Sequence, residues 1–435
     1  MTASGYIYCD GSDAPQNPTA PALEFHFHSD DGGTHFEYVR ASDQVLGRFS
    51  IDEFGKTVAV GFLSQSIDVD SIGGDDSLCK LGVSFPCQTL ARALAIQTYP
   101  NARITLSPGL YSSCELLIRQ SNTVIIAQTP SNPSAVVLDC LGCSYCLAPA
   151  SYVQQLSLIG LVVRNSSGTA IVSPPGQLML VNCIFSQHHG SNGAVVSKAT
   201  PGLLSINHCT FVQNVDNTTA PVWVTSSSVL ISVGVFDSNR GVQGGALAVY
   251  ADGMGFQSVT IAGSVFLNNS ACSRGGAAYV QTVAQLRVEN STFTDNSAAG
   301  DGGAIGLVHY TGASVSFTSV GFVSNRATGG HGGAVYGHSS SSPISYNASH
   351  MTVTNNSCSG SGGGFFLSFK YRYAAQLLSL SATIFDHNTA DGNGGGAYLE
   401  GPEINATWNG VTTINNHAGG DGGGDVDVAR RRDED

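Results

Sequence analysis

One short motif recurs along most of this chain about every thirty residues, and it limits the possible folds more than any other feature. The motif pairs Phe-x-x-Asn with Gly-Gly-Ala and a following apolar residue, as in Phe293 to Asn296 and Gly302 to Ile305. A unit of this size cannot bury its apolar side chains without a neighbour, so the period predicts a solenoid of stacked repeats. The other copies begin at Phe236, Phe266 and Phe322, with weaker ones at Val353, Phe385 and Thr413.

Apolar residues ahead of each motif fall in pairs two positions apart. Val315 and Phe317 form one such pair, and Val320 and Phe322 form the next. A spacing of two is that of a strand with one buried face, and the step of three between the pairs requires a bend. With a third strand after Gly-Gly, each repeat is predicted to contain three short strands. Pairing of each strand with its counterpart one repeat away gives a parallel β-helix.

Stacking of repeats in register, about 4.8 Å apart, places equivalent residues in columns. The Asn of each motif is predicted to form an amide ladder at a turn. The glycine pair is predicted at a corner, because glycine adopts positive φ freely and lets neighbouring backbones approach. We therefore interpret the motif as a structural element of the solenoid rather than as a nucleotide-binding loop. The buried aromatic column is predicted to contain Phe211, Phe236, Phe266, Phe293, Phe322 and Phe385.

The repeat defines the predicted domain organisation of an all-β chain. Residues 1–66 lie outside the repeat and contain alternating segments typical of strands, so we predict a small N-terminal β-rich extension of unknown fold. Residues 67–425 are predicted to form the β-helix, with a cap at 67–99, irregular early coils at 100–155 and regular repeats at 156–425. Residues 426–435 are predicted to be a charged tail.

The first part of the predicted β-helix has its own signature. Residues 88–96 read as a short amphipathic helix, and a strand-like segment follows, ending in Pro108-Gly109-x-Tyr111. This order resembles the opening of pectin-lyase-like right-handed β-helices. The resemblance implies a right-handed parallel β-helix whose first coil is capped by the short helix. Such a cap is needed because the first coil otherwise exposes its apolar interior and an unpaired strand edge.

The repeats themselves resemble those of the chlamydial polymorphic outer membrane proteins and of related β-helix surface proteins of protists and algae. The likeness covers about residues 163 to 424. It implies a surface-exposed passenger used in adhesion, which the bacterial proteins secrete through a C-terminal barrel. No barrel segment follows the repeats in this sequence, and the cysteines and glycosylation sequons favour a eukaryotic relative.

Composition indicates the compartment and excludes some partners. The chain has 11 cysteines, which favours an oxidising environment, and a net charge of −13 with no basic run before Arg430, which disfavours nucleic acid. No apolar stretch is long enough to span a bilayer, and no signal peptide is readable at the start. We therefore expect an extracellular or cell-surface protein. The unreadable signal peptide then means either that the start of the sequence is truncated or that the compartment is a different one. The N-glycosylation candidates are Asn165, Asn217, Asn268, Asn290, Asn347, Asn355 and Asn405.

The cysteines suggest particular pairs. Cys79 and Cys87 flank the start of the cap and are predicted to form a disulfide. Cys140-x-x-Cys143-x-x-Cys146 favours a disulfide-stapled loop over zinc, for which Cys114 is the nearest fourth ligand. Cys183 and Cys209 share one interior column, where they form a disulfide or remain free. Cys272 and Cys358 are predicted to be free.

Catalysis is the main alternative to a binding role. Pectin-type lyases and hydrolases need clustered carboxylates with a histidine or a basic residue. The best candidates in this chain are Asp301 and His331, joined by Asp295 and Arg326. They are weak candidates, because the position before Gly-Gly varies from repeat to repeat as a solvated loop would. His26 and His28 have metal-ligand spacing but no matching third ligand, so no metal and no cofactor are predicted.

The sequence thus favours a non-catalytic secreted or cell-surface β-helix that acts as an adhesion or interaction module. Its predicted partner is a surface glycan or protein. The alternative function is that of a polysaccharide-binding or polysaccharide-degrading enzyme of the pectin lyase-like type. A deep groove lined by carboxylates and a basic residue would favour the enzyme, whereas a smooth Ser, Thr and Asn surface would favour the module.

Overall fold

The structure is a computed structural model. Within residues 1–65 it describes the backbone of five strands. Beyond them it describes residues 66–80, 85–97, 100–112, 114–190, 195–251, 257–309, 312–340, 344–370, 376–402, 404–420 and 424–429.

The N-terminal strands pair in chain order into an antiparallel sheet. The alternating segments of this region, whose pattern is typical of strands, fall within this sheet. His26 and His28, which have metal-ligand spacing, lie on the strand Leu23–Asp30, but their side chains are outside the described part of the structure. The strands are Ser4–Gly5, Leu23–Asp30, Gly33–Arg40, Val45–Ile51 and Thr57–Phe62.

The rest of the chain forms a β-helix of parallel sheets, numbered here 1 to 4 by the order in which the chain enters them. Each strand pairs with its counterpart one coil away, as predicted. Sheet 1 consists of Ser66–Val69, Arg103–Leu106, Thr123–Ala127, Gln155–Ile159, Gln177–Val181, Gly202–Asn207, Ser227–Ser232, Ser258–Ala262, Gln285–Glu289, Ala313–Thr318, Ile344–Ser349, Gln376–Ser381 and Ile404–Asn409.

Sheets 2 and 3 also run the length of the helix. Sheet 2 consists of Gly109–Ser112, Val136–Asp139, Val162–Arg164, Ile184–Ser186, Thr210–Val212, Val235–Asp237, Val265–Leu267, Thr292–Thr294, Gly321–Val323, Thr352–Thr354, Ile384–Asp386 and Thr412–Ile414. Sheet 3 consists of Leu116–Ile118, Leu147–Pro149, Ile171–Val172, Val196–Lys198, Val222–Thr225, Leu247–Tyr250, Ala278–Gln281, Ile305–His309, Val335–Ser339, Phe365–Phe369, Ala397–Glu400 and Val426–Ala429.

Sheet 4 is a correction to the prediction of three strands per repeat. It lies between sheets 2 and 3 in the coils from His189 onward and has strands of only two residues, too short to show a periodicity in the sequence. A short 3-10 helix, Pro133–Ala135, precedes one strand of sheet 2. The strands of sheet 4 are His189–Gly190, Val215–Asp216, Arg240–Gly241, Ser270–Ala271, Ser297–Ala298, Arg326–Ala327, Ser357–Cys358, Thr389–Ala390 and His417–Ala418.

The two ends of the β-helix differ slightly from the predicted boundaries. Its first strand begins at Ser66, within the predicted extension. Its last strand, Val426–Ala429, pairs with Ala397–Glu400 and therefore continues sheet 3 into the predicted tail. The remaining tail, 430–435, lies outside the described residues.

The core contains the predicted phenylalanine column. Rings of successive coils stack nearly parallel, with centroids 4.7 Å apart between Phe266 and Phe293 and 5.2 Å apart between Phe293 and Phe322. Phe185 extends the column at one end, and Val353 replaces a ring before Phe385. Phe365 then packs edge-on against both Phe322 and Phe385, so the stack continues around the aliphatic position.

The predicted asparagine ladder lies at the corner between sheets 2 and 4. The Asn296 amide donates 3.0 Å hydrogen bonds to the side-chain oxygen of Asn325 and to the Phe266 carbonyl. The same pattern links consecutive coils from Asn214 to Asn416, and the members from Asn214 to Asn388 are buried. His188 begins the ladder, because its backbone N–H donates to the side chain of Asn214. These bonds satisfy polar groups that a buried corner would otherwise leave unpaired.

The glycine pair forms the corner between sheets 4 and 3, as predicted. Gly302 has φ +69°, a conformation that only glycine adopts without strain. A Cβ atom on Gly303 would lie 2.0 Å from the Gly333 carbonyl oxygen on the next coil. The first glycine therefore provides the turn and the second allows the coils to approach.

The predicted cap is the helix Leu90–Ile96, which contacts the first strands of sheets 1 and 3. Its buried residues include Leu90 and Leu94, and the Thr89 hydroxyl accepts a hydrogen bond from the Arg92 N–H at its N-terminus. Cys79 and Cys87 form the predicted disulfide beside it. The cysteine-rich loop is stapled by two more disulfides, Cys114–Cys143 and Cys140–Cys146.

Candidate functional site

The four candidate catalytic residues lie at two different corners of the helix. Asp295 is exposed, with φ +54°, at the corner between sheets 2 and 4, and Arg326 is exposed at the start of the sheet 4 strand one coil further. Asp301 and His331 lie at the corner between sheets 4 and 3. A hydrogen bond joins Asp301 to His331, and the sheet 4 strands separate this pair from Asp295 and Arg326.

Asp301 and His331 belong to a ladder of side-chain acceptors. Asp301 accepts a 3.0 Å hydrogen bond from the His331 backbone N–H, and His331 Nδ1 accepts a 2.9 Å bond from the Ser361 N–H. Ser361 Oγ then accepts a bond from the N–H of Asn393. The position before Gly-Gly is therefore not a freely varying solvated loop. The side chains at this position differ, but Asp301, His331 and Ser361 each accept a hydrogen bond from the backbone of the next coil.

Asp301 has a second partner that the sequence did not suggest. Its other carboxylate oxygen accepts a 3.1 Å hydrogen bond from Arg274 Nε on the preceding coil. Both oxygens are thus occupied by protein donors. These two bonds join the coil of Asp301 to the coils on both sides, which is a structural use of the carboxylate.

A shallow groove of about 300 Å³ runs along the outside of sheet 4. Arg240 borders it, with Nη2 3.7 Å from the exposed Cys272 thiol. Small and hydroxyl side chains complete the lining, and it includes no carboxylate. The remaining lining residues are Ser270, Ala271, Ser297, Ala298, Ala299 and Thr328.

Sheet 3 carries an outward-facing aromatic strip, defined here as Tyr279, Tyr336, Phe366 and Tyr398. These residues occupy the same strand position on their coils and alternate with core residues such as Val280. The rings of Tyr336, Phe366 and Tyr398 stack with centroids 5.5 Å apart. Tyr279 and Phe366 are buried, with exposed fractions of 2% and 5%, so the part of the strip that reaches the outside consists of the half-buried Tyr336 and Tyr398.

Gly306 interrupts the strip between Tyr279 and Tyr336, and an arginine occupies the gap. The Arg274 guanidinium lies 5.8 Å from the centroid of the Tyr336 ring, while its Nε is bonded to Asp301. A Cβ atom on Gly306 would approach Arg274 Cβ to 3.4 Å and Tyr279 Cδ2 to 3.3 Å. The glycine thus makes room for a cation stacked on an aromatic ring.

The environment of the strip shifts the pKa values of its titratable groups. Burial, with a contribution from the Asp301 carboxylate, raises the pKa of Tyr336 to about 12. Burial also lowers the pKa of His338, assisted by the neighbouring Lys370 and Arg274. At neutral pH Tyr336 is therefore a neutral phenol beside the Arg274–Asp301 ion pair, and burial favours the neutral form of His338, which lies on the same strand as Tyr336.

Sequence reasoning missed this strip. Its members follow the second glycine of their repeats by three residues, a position that the motif had left unassigned. Ala248 and Gly306 occupy the same position in other repeats and break the pattern. Alignment of the repeats on Gly-Gly would have revealed the aromatic residues, although not the stacking of Arg274 on them.

All seven predicted glycosylation sequons lie away from the outer face of sheet 3. Asn347 and Asn405 are exposed on sheet 1, Asn290 is at the corner between sheets 1 and 2, and Asn268 and Asn355 are at the corner after sheet 2. Asn217 follows a strand of sheet 4 and is exposed. Asn165 is half-buried and its amide donates to both oxygens of Asp139.

Two further observations concern the helices and the grouping of potential metal ligands. Among the residues that the structure describes, no helix is long and apolar enough to cross a membrane. Within the same residues, no group of three histidine, cysteine or acidic side chains is arranged to hold a metal ion.

Comparisons with known proteins give a match to one family model and to solved structures. Residues 290–306 match the Chlamydia polymorphic membrane protein repeat. No curated protein sequence gives a significant match.

Three solved structures are similar to the chain at low identity. A pectin methylesterase from Aspergillus niger is 17% identical, with 60% of this chain and 84% of that chain covered and a TM-score of 0.33. A GH136 lacto-N-biosidase from Eubacterium ramulus is 8% identical, with 84% and 68% covered and a TM-score of 0.30. A mannuronic acid-specific polysaccharide family 6 lyase from human gut microbiota is 11% identical, with 79% and 82% covered and a TM-score of 0.30.

At these TM-scores the assignment depends on the sheets, ladders and repeats of the chain itself. The stacked parallel strands, the asparagine ladder and the matched repeat agree with one another. The chain is a parallel β-helix, and one of its repeats matches the Chlamydia polymorphic membrane protein repeat.

Proposed function

We propose that this protein is a non-catalytic, secreted or surface-displayed β-helix that binds a surface glycan or protein through the aromatic strip of sheet 3. The observation that carries the proposal is the strip itself, in which phenol edges lie beside an ion pair on an outer face free of sequons. A glycan is bulky and hydrophilic, so sugars on the other faces would leave sheet 3 accessible.

The use of the candidate catalytic groups supports binding rather than catalysis. Asp301 and His331 hold the backbone of neighbouring coils, and the groove on sheet 4 offers no carboxylate. A catalytic site needs several groups held in one geometry around a substrate. The described surface instead offers a repeated array, which suits an extended ligand that makes similar contacts on several coils.

Three disulfides in the described residues support an extracellular location. The Chlamydia-type repeat supports display at a surface. Adhesion is the role that combines this location, a repetitive outer surface and a binding strip.

The proposal is tested on arrays of neutral and acidic glycans and on immobilised surface proteins. Tyr336→Phe and Tyr398→Phe keep the stacked rings but remove the hydroxyls, and we expect each to weaken binding about 5-fold to 10-fold, as for the loss of one hydrogen bond. Ser316→Ala, on the outer face of sheet 1, is the matched control and should bind as the parent does. Equal binding by all variants would refute the role of the strip.

A turnover assay separates binding from catalysis. Pectate, pectin and alginate are incubated with the protein, with and without calcium, and unsaturated products and reducing ends are measured. We expect no turnover. Robust cleavage that is lost in Asp301→Asn or His331→Gln, while Asp295→Asn retains it, would replace the module with an enzyme.

A further inference from the structure

A lysine occupies a core position inside the β-helix. Lys198 lies at the end of a sheet 3 strand and pairs with Val224, and the same column continues through Val249, Val280 and Leu307. Its exposed fraction is 0%. A buried ammonium group is costly unless partners replace its water, so its surroundings need an explanation.

Five oxygens surround the ammonium group of Lys198. Nζ donates to the carbonyl oxygens of Pro174 at 2.8 Å, Pro175 at 3.0 Å and Thr200 at 2.7 Å. It also lies 3.2 Å from Thr200 Oγ1 and 3.4 Å from the Pro201 carbonyl oxygen. An ammonium has only three N–H donors, and none of these five oxygens carries a formal charge. The arrangement is therefore a coordination shell of dipoles around a central cation rather than an ion pair.

This oxygen cage connects two consecutive turns between sheets 3 and 1. Pro174 and Pro175 belong to one turn, and Thr200 and Pro201 belong to the next. The turns are in close contact, since a Cβ atom on Gly202 would lie 1.8 Å from the Gly176 carbonyl oxygen. Ser227 on the following coil also donates to the Thr200 carbonyl at 2.5 Å. Convergent carbonyl dipoles repel one another unless a positive charge lies between them.

We propose that this cage is a monovalent-cation site whose resident cation is the ammonium group of Lys198, and that a potassium-sized ion binds there when the side chain is shortened. Neutral carbonyl oxygens are the ligands that hold potassium in channel filters. Calcium and magnesium sites use carboxylates, and the cage has none. Burial lowers the pKa of Lys198 to about 8, which leaves the group mostly charged at neutral pH.

The test compares the parent protein with Lys198→Ala and Lys198→Met at neutral pH. Melting temperatures are measured in potassium, lithium and choline chloride at equal ionic strength. Alanine leaves the cage open, so we expect Lys198→Ala to melt about 2 to 4 °C higher in potassium than in choline. The methionine chain fills the same space without charge, so Lys198→Met and the parent should show no difference specific to potassium.

An Lys198→Ala variant that melts equally in all three salts would overturn the cation site, and so would an equal potassium response of Lys198→Met. If Lys198→Ala does not fold, Lys198→Gln provides the test, because its amide supplies two N–H donors without charge. Stability of Lys198→Gln equal to that of the parent would show that the cage needs donors rather than a cation, and would overturn the proposal. Stability no better than that of Lys198→Met would support it.

Discussion

Backbone strain at single corner residues is the clearest property at the residue scale. From Gly160 onward, the bend between sheets 1 and 2 falls on one residue per coil with positive φ, a conformation that suits glycine and asparagine. Val233 has φ +54° at this corner, although a β-branched residue is the least suited to it. The equivalent residues of other coils include Asn182, His208, Gly263, Asn290, Ser319, His350, Ala382 and Gly410.

We therefore predict that Val233→Asn raises the free energy of unfolding by about 1 kcal/mol, because it relieves the strain. Val233 is 43% exposed, so little apolar burial is lost. Denaturant unfolding measures the change. Val235→Asn is the control, since Val235 is 37% exposed but lies in an extended strand. It should gain no stability, and an equal gain in both variants would contradict the strain argument.

Two buried histidines make stability depend on pH. Neither ring nitrogen of His309 has a hydrogen-bond partner among the described residues. Burial lowers its pKa to about 4, and it does the same for His188. The unfolded chain binds these protons at about pH 6.5. Stability is therefore complete above pH 6.5 and is lost as pH falls towards 4, by about 3 kcal/mol for each histidine.

We predict that His309→Leu reduces this loss by about half and stabilises the protein at pH 7 by about 1 to 3 kcal/mol, because it removes unpaired buried nitrogens. Unfolding midpoints between pH 7 and pH 4 provide the measurement. His350→Asn, at an exposed corner with positive φ that asparagine also adopts, should leave the profile unchanged. A parent protein with constant stability over this range would show that the buried imidazoles do not control it.

At the scale of elements, the asparagine ladder couples neighbouring coils. Asn296 accepts bonds from the backbone and side chain of Asn269 and donates to Asn325 and the Phe266 carbonyl. Its removal leaves several buried groups without partners, and each such group costs about 1 to 3 kcal/mol. The ladder thus makes the stability of one coil depend on the coils on both sides.

We predict that Asn296→Ala lowers the free energy of unfolding by at least about 3 kcal/mol. Faster amide hydrogen exchange should appear at the same corner of both adjacent coils. Thr294→Ala, on the same coil but pointing outward, serves as the control and should cost less than about 1 kcal/mol. Exchange confined to the mutated coil would mean that the ladder does not transmit stability.

At the scale of the whole molecule, the described cysteines fall into two groups, those that form disulfides and those that are free thiols. Three disulfides staple the cap and the early coils, and Cys183, Cys209 and Cys358 are free but buried. Cys183 and Cys209 are linked by a hydrogen bond, from the Cys183 N–H to the Cys209 sulfur, rather than by a disulfide. Cys272 is free and exposed.

We predict that an alkylating reagent modifies Cys272 in the native protein and reaches the three buried thiols only after unfolding. A second reagent should label the six bonded cysteines only after reduction. Peptide mapping under non-reducing conditions reads both steps. Labelling of Cys79 or Cys87 before reduction would refute the disulfide at the cap.

The sequence by itself determined the β-helix, because stacking in register converts a period along the chain into columns in space. The phenylalanine column, the asparagine ladder and the Gly302-Gly303 corner could all be predicted for that reason. The predicted bend between the strand pairs also appears, and it falls on residues with positive φ such as Asn290.

Only the tertiary structure decided the features that have no fixed residue type or period. The strands of sheet 4 are two residues long, so their pattern could not be recognised. Asp301, His331 and Ser361 all serve as acceptors for the next coil, and this shared role permits different side chains at one position. Arg274 contacts the ring of Tyr336 although it occupies a different position of its repeat from the members of the aromatic strip. Such contacts between coils depend on the directions of the side chains. Packing in three dimensions determines these directions, and the repeat in the sequence does not predict them.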